Sequence, residues 1–194
     1  MTEDISGVIL AGGDSRRFKG MFKPDIIVGG KTIFTRIINV IGDIFKEIII
    51  STNNPERFSD FPDFKAVKDI FTKAGPLGGI HAAMMASSGK AVFVFAGDMP
   101  YLDKVIILRE IDLFSEKKCD AVVPLLNNFP EPLHSVYSNS LVRKLESYLK
   151  EVPDAAVKDF LSVVNTCYYH IPANSATLRS FKNINSLHDI PDNN

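Results

Sequence analysis

The stretch Gly7-Val8-Ile9-Leu10-Ala11-Gly12-Gly13-Asp14-Ser15-Arg16-Arg17-Phe18-Lys19-Gly20-Met21-Phe22-Lys23 decides how the rest of the chain is read. Its first four residues are short, apolar and followed by glycines, the pattern of a buried strand that ends in a tight turn. Two adjacent glycines let the backbone turn sharply and bring its N–H groups close to an anion. Arg16, Arg17, Lys19 and Lys23 then put four cations in one loop. A triphosphate requires that combination: amide donors for its oxygens and fixed positive charge against its own negative charge. Gly-Gly alone reads first as a solvated turn; the preceding strand and the spaced Arg17 and Lys23 reverse the reading toward phosphate.

Outward from this loop, short apolar runs alternate with helical spacing. Residues 32–45 carry Ile33, Phe34, Ile37, Ile38, Ile41 and Phe45, one face of a helix. Strands are expected at 47–51, 66–68, 91–95, 121–124, 133–137 and 167–171, and helices at 77–88, 104–115, 140–149 and 155–163. Such alternation implies βαβ units and an α/β fold, a three-layer α/β/α sandwich with a mainly parallel open sheet of Rossmann-like type. Residues 91–95, apolar on both faces, fit a strand covered by helices on each side. Open sheets of this kind bind ligands beyond the carboxyl ends of their strands, so chemistry is expected after Leu10, Ser51, Lys68 and Phe95. The whole of 1–194 reads as one domain.

Those positions are occupied by suggestive residues. Gly97-Asp98-Met99-Pro100 follows the strongest strand, and a lone carboxylate there suits Mg²⁺, which takes few protein carboxylates and completes its shell with phosphates and water. Capping of the next turn or helix is the other role open to Asp98. Asn53 and Asn54 follow the second strand and Asp69 the third. Asn and Asp are common turn residues; alternatively, a carboxylate can accept from guanine N1–H and the 2-amino group, a pattern adenine does not offer. Gly75-Pro76-Leu77-Gly78-Gly79 opens a helix and suits close packing, against the sheet or under a nucleotide. Gly29-Gly30-Lys31-Thr32 falls short of a P-loop, because Asp25 stands where the leading glycine belongs, and reads as a turn opening the next helix.

The bulk numbers narrow the function classes. Of 194 residues, 45% are hydrophobic, enough for a sizeable core, and 22 basic residues nearly cancel 23 acidic ones. That balance argues against a nucleic-acid binder. The acidic start, Met1-Thr2-Glu3-Asp4, is unlike a signal peptide, and no apolar run is long enough for a membrane span, so a cytoplasmic setting is expected. Cys119 and Cys167 lie far apart without metal-ligand spacing and read as reduced thiols. His81, His134, His170 and His188 show no metal or catalytic spacing and read as satisfied or exposed side chains.

Taken together, these motifs resemble the molybdenum cofactor guanylyltransferases, the MobA family. The family's opening pattern L-A-G-G-x-S-x-R-M-G-x-x-K is matched from Leu10 to Arg17, with Phe18-Lys19 in place of Met-Gly and one residue more than the pattern carries before Lys23. Gly75-Pro76-Leu77-Gly78-Gly79-Ile80, Gly97-Asp98-Met99-Pro100-Tyr101-Leu102, Glu131-Pro132-Leu133-His134 and Asn183-Ile184-Asn185-Ser186 follow in family order. The resemblance implies transfer of GMP from GTP to the terminal phosphate of molybdopterin or molybdenum-molybdopterin, releasing pyrophosphate. It implies Mg²⁺ on Asp98, and nucleotide contacts from Leu10, Ala11, Gly12, Gly13, Lys23, Asn53, Asp69 and Asp98. Arg17, Lys23 and Asp98 would be catalytic, and Asn183 and Asn185 would lie on the acceptor side. The N-terminal half would then bind nucleotide and the C-terminal half the acceptor, with transient contact to cofactor-receiving enzymes. A cytidylyl- or sugar-phosphate nucleotidyltransferase, or a non-catalytic nucleotide-binding protein, are the alternatives. The cytidylyl type shows Ala-Ala-Gly where this chain has Ala11-Gly12-Gly13.

Overall fold

A computed structural model describes residues 4–12 and 22–190. Strands β1 (Ile5–Leu10), β4 (Ile48–Ser51), β5 (Lys65–Val67), β6 (Ala91–Ala96), β7 (Ala121–Leu126), β8 (Phe129–Pro130), β9 (His134–Ser138) and β10 (Thr166–Ile171) form one eight-stranded sheet. Its order is β10-β7-β9-β6-β1-β4-β5, with β8 paired to β7. β1, β4, β5 and β6 run parallel, as β7 does with β10, whereas β9 is antiparallel to both β6 and β7. The sheet is thus mainly parallel, as the alternating pattern implies.

Period-two alternation divides the strand side chains between two cores. Ile5 and Ile9 of β1, Ile48 and Ile50 of β4, and Phe93 and Phe95 of β6 enter one core with α1 (Ile33–Ile41) and α3 (Lys104–Glu116). Val8, Ile49, Val92 and Val94 enter the other with α2 (Gly75–Ala86), α4 (Val142–Glu151) and α5 (Val157–Leu161). Each large side chain buried completely, such as Phe93 and Phe95, contributes about 1.5–3 kcal/mol through the hydrophobic effect. A last helix, α6 (Ser175–Ser180), begins with a capping box at Asn174 and Thr177. Among the described residues no helix is long and apolar enough to cross a membrane.

Several local expectations are revised. The helix expected at 32–45 ends at Ile41, where Gly42 closes it; Ile44 and Phe45 stay buried beyond the helix. Gly29 and Gly30, both at positive φ, turn a small hairpin between β2 (Ile27–Val28) and β3 (Lys31–Thr32), and Thr32 caps α1 by accepting from the Thr35 N–H at 3.1 Å. The expectation of reduced cysteines is overturned: Cys119 and Cys167 form a disulfide, with Cα atoms 5.9 Å apart. Their separation in sequence hid the pairing. The parallel register of β7 and β10 sets Cys167 opposite Val122 and so brings it beside the approach to β7.

Candidate active site

β1, β4, β5 and β6 end on the same side of the sheet, and there a cleft of about 380 Å³ opens. Leu10, Ala11 and Gly12 leave β1 into its floor; Ser51 and Asn53 come from the end of β4, Asp69 from beyond β5, and Ala96, Gly97 and Asp98 from the end of β6. β9, running the other way, starts at this edge and adds Leu133. The first turn of α2 supplies Gly75, Pro76 and Gly79.

Close backbone packing knits these ends together. Ala11 N–H donates to Ser51 O at 2.8 Å and Gly97 N–H to Leu10 O at 3.0 Å. A Cβ on Gly97 would stand 2.7 Å from the Leu10 backbone oxygen, which excludes a side chain there, and one on Gly79 would stand 2.7 Å from Ser51 Oγ, which would have to shift. With the Ala11 N–H committed to Ser51, Gly12 is the loop residue whose N–H has no acceptor among the described residues, and it lies exposed at the cleft. That amide is therefore open to an anion.

Asp98 and Lys23 form the charged centre. Lys23 Nζ donates to Asp98 Oδ2 at 2.8 Å, and the two side chains keep 28% and 16% of their exposure, so both charges are partly screened yet reachable from solvent. Lys23 is set by a short 3₁₀ turn, Lys23–Asp25, with Pro24 in its first turn. Phe22, which precedes it, packs edge-on against Phe58 at 5.7 Å and lies under the Arg57 guanidinium at 4.8 Å. The bulky residue before Lys23 thus anchors the lysine's turn to the 3₁₀ turn Pro55–Phe58 that follows β4. Asp98 does not cap a helix: the cap of α3 is Asp103, whose carboxylate accepts from Val105 N–H at 2.7 Å. The Asp98 carbonyl instead accepts from Ile184 N–H at 2.9 Å, which ties the C-terminal segment to the cleft and brings Asn183 to its wall.

On the other side, Asp69 Oδ2 accepts from Asn53 Nδ2 and Oδ1 from Ser51 Oγ, each at 3.4 Å. Burial pushes the Asp69 carboxyl above the ordinary aspartate range, and these two hydrogen bonds only partly offset it. No three carboxylates, histidines or cysteines converge on a metal site among the described residues. Asp98 Oδ1 takes no hydrogen bond among them either, so this carboxylate has one oxygen to offer a cation whose other ligands are phosphates and water.

The expected site residues Leu10, Ala11, Gly12, Lys23, Asn53, Asp69, Asp98 and Asn183 therefore share one cleft. Gly13 and Arg17 lie outside the described residues. Asn185 is not part of the cleft wall; it is exposed and its backbone N–H donates to the Asp189 carboxylate at 2.9 Å. Leu133 and Lys73, which line the cleft, were missed by sequence reasoning. The first lies in the Glu131-Pro132-Leu133-His134 segment, which was given no role in the site, and the second in a surface loop that carries no motif. His81 is buried, with no hydrogen bond to either ring nitrogen among the described residues, against the expectation of a satisfied or exposed histidine; burial lowers its pKa, and its ring meets Phe71 edge-on at 5.0 Å.

Comparison with known proteins agrees with this fold. The MobA-like NTP transferase domain family matches residues 7–165. A Natranaerobius thermophilus protein named "Probable molybdenum cofactor guanylyltransferase" is 35% identical over 198 aligned residues, covering 98% of this chain and 95% of that one. A Desulfosudis oleivorans molybdenum cofactor guanylyltransferase is 32% identical, covering 96% of this chain and 92% of its own. The crystal structure of molybdopterin-guanine dinucleotide biosynthesis protein A from Archaeoglobus fulgidus superposes with a TM-score of 0.81 at 25% identity, over 95% of this chain and 94% of that one. The chain belongs to the MobA-like NTP transferase family of nucleotidyltransferases, alongside the molybdenum cofactor guanylyltransferases.

Proposed function

We propose that this cleft binds GTP and transfers its GMP to the terminal phosphate of molybdopterin, forming a guanine dinucleotide cofactor. The observation that carries the reading is the convergence of Gly12, Lys23, Asp98, Asn53 and Asp69 on one cleft at the strand ends of a nucleotidyltransferase fold. Whether the acceptor phosphate belongs to the metal-free or the molybdenum-bearing pterin does not alter the chemistry at phosphorus. The two halves of the chain divide the work: nucleotide contacts run from Leu10 to Asp98, and the acceptor is met by the segment that carries Asn183. The cytoplasm is the setting proposed for it.

An oxygen of the acceptor phosphate attacks the α-phosphorus of GTP in line. A new P–O bond forms as the bond to the bridging oxygen breaks, and pyrophosphate leaves with the electron pair. The attacking phosphate is already ionised near neutral pH, so no strong general base is required, and catalysis rests on position and charge. The Gly12 N–H and the Lys23 ammonium stabilise negative charge that shifts toward the leaving group. Lys23 reaches phosphate by exchanging its ion pair with Asp98 for the incoming anion, which releases the carboxylate for a cation. Mg²⁺ held by Asp98 would supply further neutralisation of the reacting phosphates. Asn53 and Asp69 face the guanosine, and Arg17, which the sequence sets between Gly13 and Lys23, is the second cation proposed for the phosphates.

Pyrophosphate release from GTP, Mg²⁺ and molybdopterin tests the reading directly. Asp98→Ala should abolish Mg²⁺-dependent turnover while leaving the melting temperature close to that of the parent protein. Unchanged turnover would remove the carboxylate from the reaction, and tighter binding of CTP than of GTP would replace the nucleotide.

A further inference from the structure

Lys73 stands out at the nucleotide end of the cleft. It lines the same cavity as Asp69 and Asn53, in the loop between β5 and α2, yet it is exposed. Its backbone is left-handed, φ 73°, a conformation that costs a residue with a Cβ about 1 kcal/mol or more and that glycine or asparagine would take more cheaply. Two residues later Gly75 also has positive φ, 55°, so the chain places a lysine inside a left-handed turn that already uses a glycine. Among the described residues no hydrogen bond or ion pair engages the Lys73 ammonium. No packing or pairing within the described fold accounts for a lysine at this strained position, and its place on the cleft wall does.

The neighbourhood narrows what it would meet. A Cβ built on Gly78 would meet Phe71 O at 2.7 Å, Ala74 Cβ at 3.3 Å and Asp69 Cγ at 3.7 Å, so the Asp69 carboxylate and the 71–74 loop converge over the first turn of α2. Asp69 and Lys73 line the same cavity, so a base bound there can meet an acceptor from one and a charged donor from the other. The Watson–Crick edge of guanine offers the complement: O6 accepts, and the adjacent N1–H and 2-amino group donate. Adenine reverses the first two positions, setting an amino donor against the ammonium and a bare ring nitrogen against the carboxylate. Sites that pair a substrate group reject analogues that leave the site's own polar groups unpaired.

We infer that Lys73 is a specificity-determining residue that donates to guanine O6 while Asp69 accepts from the neighbouring N–H groups. The inference rests on the reading that Asp69 faces the guanosine. It adds a donor that the strand-end motifs do not contain, and it makes the selection of guanine the joint work of two oppositely charged side chains.

The experiment compares Lys73→Met with the parent protein in binding titrations of three triphosphates: GTP, ITP, and the triphosphate of 2-aminopurine riboside. ITP keeps O6 and N1–H but lacks the 2-amino group; the 2-aminopurine nucleotide keeps the 2-amino group but lacks both O6 and the N1–H, so its binding is compared only between variant and parent protein. The variant should bind GTP and ITP about tenfold to a hundredfold more weakly, by similar factors, as expected for loss of one charged hydrogen bond. Binding of the 2-aminopurine nucleotide should change less than about twofold, and Lys73→Arg should retain most of the GTP affinity. Equal weakening of all three ligands would assign Lys73 to phosphate or ribose and overturn the proposal, as would no weakening of any. Parent protein that bound ATP as tightly as GTP would overturn the guanosine reading itself, and that result is distinct because it needs no variant.

Discussion

Two carboxylates with a nitrogen partner illustrate how this molecule separates holding from acting. In the cleft, Asp98 meets Lys23 at 2.8 Å with both side chains partly open to solvent. Across the sheet, Glu110 of α3 meets His134 Nδ1 at 2.9 Å with both side chains fully buried, and Tyr169 O–H donates to the same Glu110 oxygen at 2.9 Å. The His134 ring is enclosed by Phe93, Phe95 and Phe181, with centroids 5.3, 5.5 and 4.7 Å away. Burial pushes the Glu110 carboxyl above its ordinary range, with His134 acting in the opposite direction. Similar distances thus serve different ends. The exposed pair can trade partners for phosphate or a cation, because water and ligand reach it. The buried cluster has nothing to exchange with; it ties α3, β9 and β10 to one another.

The largest expected effect breaks the buried cluster. Glu110→Ala leaves His134 and Tyr169 without their shared acceptor inside an apolar core, and loss of one partner of such a pair costs about 3–5 kcal/mol. Denaturant unfolding should register that loss. A change below about 1 kcal/mol would mean that the core relaxes around the gap and that the cluster does not hold these elements together.

Lys23→Ala should do the reverse. Loss of one charged contact to the transferring phosphates raises the barrier by about 2–4 kcal/mol, roughly a hundredfold or more in kcat/KM. Its stability effect should stay below about 1 kcal/mol, since a solvent-screened ion pair contributes little to folding. A variant that lost stability as Glu110→Ala does, with turnover within twofold of the parent protein, would turn the cleft pair into a structural brace and erase the contrast.

The contrast also accounts for what was legible in the sequence. The residues proposed to act sit where chain direction puts them, just after strands, so the cleft-lining Gly12, Asp69 and Asp98 could be read from short apolar runs followed by glycine, aspartate or asparagine. Residues that hold are brought together by topology, which spacing does not encode. Glu110 lies within a helix whose apolar positions set the pattern, and His134 comes from an antiparallel strand 24 residues later. The Cys119–Cys167 disulfide was hidden for the same reason, since it depends on β7 pairing with β10. Lys73 combines both difficulties: a loop residue with no motif, marked only by a backbone angle that a sequence does not display.

The smallest effect concerns pH and sharpens the comparison at its least obvious point, because Asp69 resembles both carboxylates: it lines the cleft, yet burial raises its pKa. The folded state therefore binds this proton more tightly than the unfolded chain does. The associated stability is fully present below the unfolded pKa and is lost as pH rises through the folded one. Ligand binding runs the other way. To accept from guanine N–H groups Asp69 must be ionised, so GTP affinity should weaken as pH falls through its raised pKa, approaching about tenfold per unit at the acid end, where each proton must be released on binding. Asp69→Asn removes that titration and leaves only the ligand's own phosphate ionisation, so the ratio of parent to variant affinities isolates the side chain. A ratio that stays flat from the ordinary aspartate range up to neutrality would place Asp69 with Glu110 among the residues that hold, rather than with Asp98 among those that act.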